Sequence, residues 1–436
     1  MRNIFRMRSV KNISYLVAEN AFRLGVGFLV SILVARHLGP ESFGHFNYVL
    51  SFIFLFIPLY TFGLDEIIVK DLVKSPESRS SILVNGFVLK LIGSLIAFFI
   101  TLISVNIIEV GVEVKGAIIL MSLWMFFRSI DVIDYWYQSK ITIKKISFAR
   151  TITFLIGSVL KLVLVFWKKD WRYFIYISCF EIVLIEVLYM VVYQSEFKVS
   201  IFKFSEVSLK KIKRYTGNAF PIILTLFLSN SLARVDQLMI GSMVGAEELG
   251  KYAVAVKLVD IWQFFPFAVI NSLFPLVVSS FDKGKDEYRT ITMKLYSILI
   301  WLSLGLCFGT YLFGENVVDL LYGDRFSGAG RLLTFYVWTT VFTFFLFIRT
   351  KVLTIENALR FGAWISLISL VMNIALNLYL IPLMGVEGAI IASLSSYFVG
   401  NLIVAFFSKE IRCHLIWYSK SIFFPIGLLI SSFKNK

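Results

Sequence analysis

A run of apolar segments of about 20 residues, long enough for an α-helix to cross the hydrocarbon core of a bilayer, constrains this chain more than any other feature. They extend over Ile13 to Arg36, Phe46 to Phe62, Ile82 to Val105, Ala117 to Tyr137, Phe148 to Phe166, Tyr173 to Tyr193, Gly217 to Met243, Tyr252 to Val278, Ile291 to Phe313, Leu332 to Thr350, Phe361 to Leu383 and Gly388 to Phe407. In hydrocarbon a backbone must satisfy its own hydrogen bonds, which leaves helices as the solution for segments of this length. The reading is an all-α membrane protein of about twelve transmembrane helices, six in each half. Only 16% of the 436 residues are charged against 58% hydrophobic, which excludes an ordinary soluble domain. A shorter apolar stretch, Ser421 to Phe433, carries Pro425 and Gly427 and reads as interfacial. Arg2, Arg6, Arg8 and Lys11 precede the first segment, but that segment is too long for a secretory signal and holds Glu19 and Arg23, so it is expected to stay attached.

The two halves share a motif. LGPESFGHF, Leu38 to Phe46, returns as VGAEELGKY, Val244 to Tyr252: Gly39, Glu41 and Gly44 recur as Gly245, Glu247 and Gly250, and Leu38, Phe43 and Phe46 as Val244, Leu249 and Tyr252. Each copy lies between two long apolar segments. Two pseudo-symmetric six-helix bundles around a central cavity are therefore expected, because repeats in transporters place the substrate route at their interface. The glycines suit a tight turn, and the glutamates stand just ahead of the next helix, where an acid meets the positive end of its dipole. More weakly, VLKLVLV, Val159 to Val165, aligns with ALNLYLI, Ala375 to Ile381, and sets Lys161 opposite Asn377. The bundles are expected over residues 1–195 and 217–408, joined by a basic linker over 196–216 and followed by a basic and apolar tail over 409–436. Lys198, Lys203, Lys210, Lys211, Lys213 and Arg214 of the linker suit either anionic headgroups or plain solvation.

Orientation follows the excess of Lys and Arg on the cytoplasmic side. With the N-terminus inside, most of the 43 Lys and Arg fall in cytoplasmic segments, and both termini are cytoplasmic; Lys168, Lys169 and Arg172 dissent. The net charge of +15 is then largely topology, and no nucleic-acid partner is needed to explain it.

Several patterns carry no chemistry. Gly245, Gly250 and Lys251 have the spacing of a phosphate-binding P-loop, but Tyr252 replaces the hydroxyl residue that would hold magnesium and no strand-to-helix context surrounds it. Cys179, Cys307 and Cys413 form no disulfide or metal pattern, and His37, His45 and His414 lack metal-ligand spacing, so surface or loop positions are expected for the histidines. No cofactor and no metal are expected. Prolines at positions 58, 221, 266, 275 and 382 bend helices, and Pro266 with Pro275 suits either a hinge or a static kink.

Ionisable groups inside the apolar segments are informative, because each costs about 2.5–3.5 kcal/mol at mid-membrane on insertion scales. The first segment carries Glu19 and Arg23, the third Lys90, the fourth Arg128, Asp131 and Asp134, and the fifth Lys161. The sixth carries Glu181 and Glu186, the seventh Arg234 and Asp236, and the eighth Lys257 and Asp260. The last four are nearly free of central charges. Arg23, Arg234 and Lys257, with Lys161 and Arg128 behind them, are the expected cavity cations, suited to an anionic substrate whose phosphates an Arg fork or a Lys point charge holds. Glu19, Asp236 and Asp260 are the expected charge partners or carriers of a coupling proton. The competing reading is helix-stabilising pairs, Glu19 with Arg23, Arg128 with Asp131 and Lys257 with Asp260. Trp124, Trp136, Tyr137, Trp262 and Phe265 suit sugar stacking, though packing or interfacial anchoring is expected for most of them.

Together these residues resemble a family. ARHLGPESFGHF from Ala35, FGLDEIIVKDL from Phe62, DYWYQSKITIKKIS from Asp134, Asp236 to Tyr252 and NIALNLYLIPLMGVEGAIIA from Asn373 are similar to signatures of the Wzx polysaccharide flippases. The resemblance spans nearly the whole chain. It implies the fold of the multidrug/oligosaccharidyl-lipid/polysaccharide exporter superfamily and transport, not catalysis, of undecaprenyl-pyrophosphate-linked O-antigen or related repeat units from the cytoplasmic to the periplasmic leaflet of a bacterial inner membrane. It also implies the lipid bilayer, an O-antigen polymerase and a chain-length regulator as partners. A lipid II flippase or an ion-coupled drug antiporter shares the fold, and a polysaccharide polymerase is a rival of another class.

Overall fold

The structure, a computed structural model, describes residues 2–140, 144–197, 203–356 and 360–423, so part of the Ser421 to Phe433 stretch lies outside the described residues. All regular secondary structure described is helical. Ten stretches are long and apolar enough to cross a membrane, and the bent pair Ala329–Tyr336 and Thr339–Ile355, 42° apart, adds another. The first stretch, Glu19–Lys74, has 56 residues, about 84 Å at helical rise, which exceeds a single crossing. It divides at Gly39, whose φ of 71° and ψ of 174° are not helical. With that division all twelve expected segments are accounted for, and the chain is an all-α, multi-pass membrane protein.

The chain forms two compact units, Met1–Arg234 and Val235–Lys436. The first contains α1 (Arg2–Thr61), α2 (Asp65–Lys74), α3 (Arg79–Ile107), α4 (Val112–Trp124), α5 (Val132–Ser139), α6 (Lys144–Phe166), α7 (Trp171–Phe197) and most of α8 (Leu209–Met243). The second contains the end of α8, then α9 (Ala246–Trp262), α10 (Phe264–Lys283), α11 (Lys285–Tyr322), α12 (Ala329–Tyr336), α13 (Thr339–Ile355), α14 (Arg360–Met384), α15 (Val386–Phe407) and α16 (Lys409–Ser421). Phe99, Ile103, Phe308 and Phe313 are more than half exposed, a surface that suits hydrocarbon rather than water.

The repeated motif behaves as its glycines require. Gly245 adopts φ 126° and ψ 171° before α9, matching the positive φ and extended ψ of Gly39, and Glu247 and Glu248 occupy the first turn of α9. Lys251 is held by Glu247 at 3.1 Å and Glu248 at 2.7 Å, so the P-loop look-alike ends in an ion pair. The fourth apolar segment differs from the expected continuous helix. A 3-10 stretch, Met125–Asp131, separates α4 from α5 and carries Arg128 and Asp131. The eighth breaks at Gln263, between α9 and α10, because Pro266 has no N–H to offer the carbonyl of Trp262.

Beyond the second crossing, Phe62 and Gly63 take positive φ and turn the chain into α2, which buries Ile68 and Leu72 one turn apart. Asp65 and Glu66 lie in its first turn and Lys74 in its last, complementing the helix dipole. The basic linker is neither simply solvated nor wholly given to lipid. The Asn85 amide donates to the Glu206 carbonyl at 3.1 Å and its oxygen accepts from the Ser208 N–H at 2.9 Å. Lys211 donates to Ser81 at 2.9 Å, and Arg214 and Tyr215 both reach Asp71. After α15, Ser408 caps α16 by accepting from the Ile411 N–H at 3.3 Å. Ile411, His414, Tyr418 and Ser421 form its buried stripe, at helical spacing.

Candidate substrate and coupling sites

The basic side chains expected to meet substrate sit on α1, α8 and α9. Arg23 lies 3.7 Å from Glu19, one turn away, and its guanidinium is 5.6 Å from the Phe154 ring. Its side chain stays 35% exposed, against 5% for Glu19. Glu19 is turned inward, accepting from Ser147 and, at 3.5 Å, from Thr151 of α6. Arg234 is half-buried on α8, 5.0 Å from the Phe54 ring. Lys257 is half-buried on α9, and Asp260 is exposed. In both α1 and α8 the cation is therefore the accessible member of its sequence neighbourhood and the acid the buried one.

Asp236 is buried at 5% exposure and is held by amides and hydroxyls. Asn377 of α14 donates to it at 2.7 Å, Tyr252 of α9 at 3.3 Å, and Ser393 of α15 donates as well. Asn377 also donates to the Asn373 oxygen at 3.0 Å, and the Asn377 oxygen itself has no hydrogen-bond partner. Tyr252, which spoils the P-loop pattern, is thus a member of this cluster. Asn377, aligned with Lys161 in the sequence, faces an acid as Lys161 does: both Glu181 oxygens accept from Lys161, at 2.8 and 2.9 Å. That bidentate pair compensates the Lys161 charge within unit 1.

Several further charges of unit 1 gather in one largely buried assembly. Lys90, fully buried, bonds Asp131 and, at 3.2 Å, Tyr135, which in turn donates to Asp65. Asp131 is therefore paired across helices with Lys90, not with Arg128 as spacing alone suggested. Arg150 donates to Asp134 and, at 2.9 Å, to Tyr189; Gln138 donates to Asp134 at 2.8 Å. Arg128 is half-buried and acts electrostatically on Glu186, which is 2% exposed.

Sequence reasoning missed two basic residues and misplaced a histidine. Arg150 and Arg349 stand near the ends of apolar segments and read as flanking charges, yet Arg349 is 3% exposed, bonded to Asn401 and 5.3 Å from the Phe345 ring. The later helices thus hold a buried charge. His414 is 1% exposed, not at the surface: its Nε2 lies 3.1 and 3.2 Å from the Glu356 oxygens and its Nδ1 3.2 Å from the Tyr296 hydroxyl. His37 and His45 are half-buried within α1, His37 donating to the Lys169 carbonyl at 2.8 Å. Trp136 and Tyr137 are buried, with Arg79 5.0 Å from the Trp136 ring, which assigns both to packing rather than to sugar. Trp124 stacks on Phe127 and Trp262 on Phe265.

The model of a family described as polysaccharide biosynthesis protein matches residues 9–281, and that of MatE matches residues 221–379. The capsular polysaccharide biosynthesis protein CapF of Staphylococcus aureus is 23% identical over 92% of this chain and 100% of its own length. The probable flippase AglR of Haloferax volcanii is 30% identical over 40% of this chain and 37% of its own. The solved inward closed conformation of the lipid II flippase MurJ covers 96% of this chain and 93% of its own, at a TM-score of 0.68 and 15% identity, a likeness of fold. With its paired glycine breaks, its helical spans and a match over more than half its length, the chain belongs to the polysaccharide biosynthesis protein family of membrane proteins.

Proposed function

We propose that this protein is a flippase that carries a lipid-linked glycan across the membrane, and that it is a transporter rather than an enzyme. The substrate class proposed is a polyprenyl pyrophosphate bearing an O-antigen or related repeat unit, moved from the cytoplasmic to the periplasmic leaflet of a bacterial inner membrane, with both termini cytoplasmic. Such a head group cannot cross hydrocarbon unaided, because its charges and hydroxyls would lose their hydration. The observation that carries the reading is the asymmetry at α1 and α8, where Arg23 and Arg234 stay accessible while Glu19 and Asp236 are buried. Arg23, Arg234 and Lys257 are assigned to the substrate's phosphates or acidic sugars. Lys161 is assigned to its pair with Glu181, and Arg128 to the buried assembly of unit 1.

Asp236 is the proposed coupling group. A buried carboxylate that meets neutral donors, beside an amide oxygen without a partner, invites a proton or a small hard cation with oxygen ligands. The test is complementation of a strain lacking the gene. Arg23→Ala, Arg234→Ala and Lys257→Ala are expected to be made in normal amount, to lower surface glycan and to leave the lipid-linked oligosaccharide accumulating on the cytoplasmic side. Wild-type glycan display by all three variants would overturn the substrate assignment.

A further inference from the structure

We propose that Glu186 of α7 carries a proton in this structure and that the interior of unit 1 is thereby a proton-binding site. The assignment stands on the geometry of unit 1 and goes beyond the coupling role of Asp236; it survives if the glycan substrate is something else.

The first observation is a buried carboxyl group with an unpartnered oxygen. Glu186 is 2% exposed and its Oε2 has no hydrogen-bond partner. A carboxylate so placed loses its hydration and gains nothing direct in return, whereas the neutral acid escapes most of that cost.

The second observation is the charge balance around it. Arg128 and Asp131 of the 3-10 stretch, Lys90 of α3 and Asp134 of α5 are the charged groups that act on Glu186. Lys90 is committed to Asp131 and Arg150 of α6 to Asp134. Tyr135 links Lys90 to Asp65 of α2, so Asp65 belongs to the same assembly. Asp65, Asp131, Asp134 and Glu186 then face Lys90, Arg128 and Arg150: one carboxyl in excess, which one proton balances. Of the other helices against α7, α1 brings Glu19 with its partner Arg23, and α4 brings Glu113, bonded to Arg172 at the start of α7.

Glu186 rather than Asp134 takes that proton. Asp134 already accepts from Arg150 and Gln138, although its Oδ1 has no partner, whereas no cation among the described residues is paired with Glu186, whose Oε2 is left without a donor. Arg128 sits in a 3-10 segment inside a spanning helix, a geometry that often marks a hinge. Movement of that segment toward Glu186 would supply the missing donors, favour the carboxylate and release the proton.

Infrared spectroscopy of the full-length protein in vesicles at neutral pH tests the assignment without any transport assay. The wild type is expected to show a carboxylic-acid C=O component that is lost in the Glu186→Gln difference spectrum and retained in those of Asp134→Asn and Asp236→Asn, with the unfolding temperature of Glu186→Gln close to wild type. A carboxylic-acid signal unchanged in Glu186→Gln, or a component lost in Asp134→Asn instead, overturns the proposal. So does a Glu186→Gln protein that fails to fold, since the neutral isostere replaces an acid that is already neutral.

Discussion

Lys90→Met is the sharpest test of the buried assembly in unit 1. The Lys90 side chain is fully buried, and its ammonium serves both Asp131, whose side chain is 15% exposed, and Tyr135. Methionine fills nearly the same space, so little cavity is created; what changes is that Asp131 is left as a buried charge without its cation. Removing one partner of such a pair costs about 3–5 kcal/mol. Unit 1 spans Met1–Arg234, a size at which 1 kcal/mol moves the unfolding temperature by about 2–4 °C, so the expected fall is about 6–20 °C. Intrinsic-fluorescence unfolding of detergent-purified protein reads this directly. Lys90→Met with Asp131→Asn removes both charges and is expected to recover at least about half of the loss, since the uncompensated carboxylate is the main cost. A Lys90→Met protein unfolding within about 2 °C of wild type, or a double variant as unstable as the sum of its parts, would refute the pairing.

Other perturbations probe separate contacts. A Cβ at Gly157 would fall on the Glu181 carboxyl, so Gly157→Ala is expected to displace that carboxyl from Lys161 and cost about 1 kcal/mol in the same unfolding assay, whereas an unchanged midpoint would show that the Lys161 ion pair adds nothing to the stability of unit 1. His414→Leu leaves Glu356 without its imidazole; a loss of about 1–3 kcal/mol and faster proteolysis at α16 are expected, and wild-type protease resistance would contradict the docking of that helix. Gly245→Val must hold a β-branched residue at φ 126°, with a cost of about 1–3 kcal/mol, and an unfolding midpoint equal to wild type would show that the break before α9 does not need glycine. Asp236→Asn should keep expression and fold while abolishing any dependence of transport on the coupling ion, and a retained dependence would remove Asp236 from that role.

Much of this molecule is legible in its sequence. Hydropathy counts segments because bilayer thickness fixes their length, so Ile13 to Arg36 through Gly388 to Phe407 emerged as twelve crossings. Gly39 and Gly245 announced matching breaks, since positive φ is a property of a single residue and needs no partner. Glu19 with Arg23 was readable because a helix fixes which residues share a face.

Pairing between helices was a different matter. Spacing on one helix put Arg128 beside Asp131, but α3 brings Lys90 to that acid; nothing local to α8 foretold that α9, α14 and α15 surround Asp236 with Tyr252, Asn377 and Ser393. Arg349 and His414 lay near the ends of apolar runs, where exposure is the ordinary expectation, and both are buried by neighbouring helices. Local sequence specifies the apolar lengths, the glycine breaks and which residues share a helix face. Which face meets which neighbour depends on the packing of all the helices of a unit at once, and that packing decided where the buried charges found their partners.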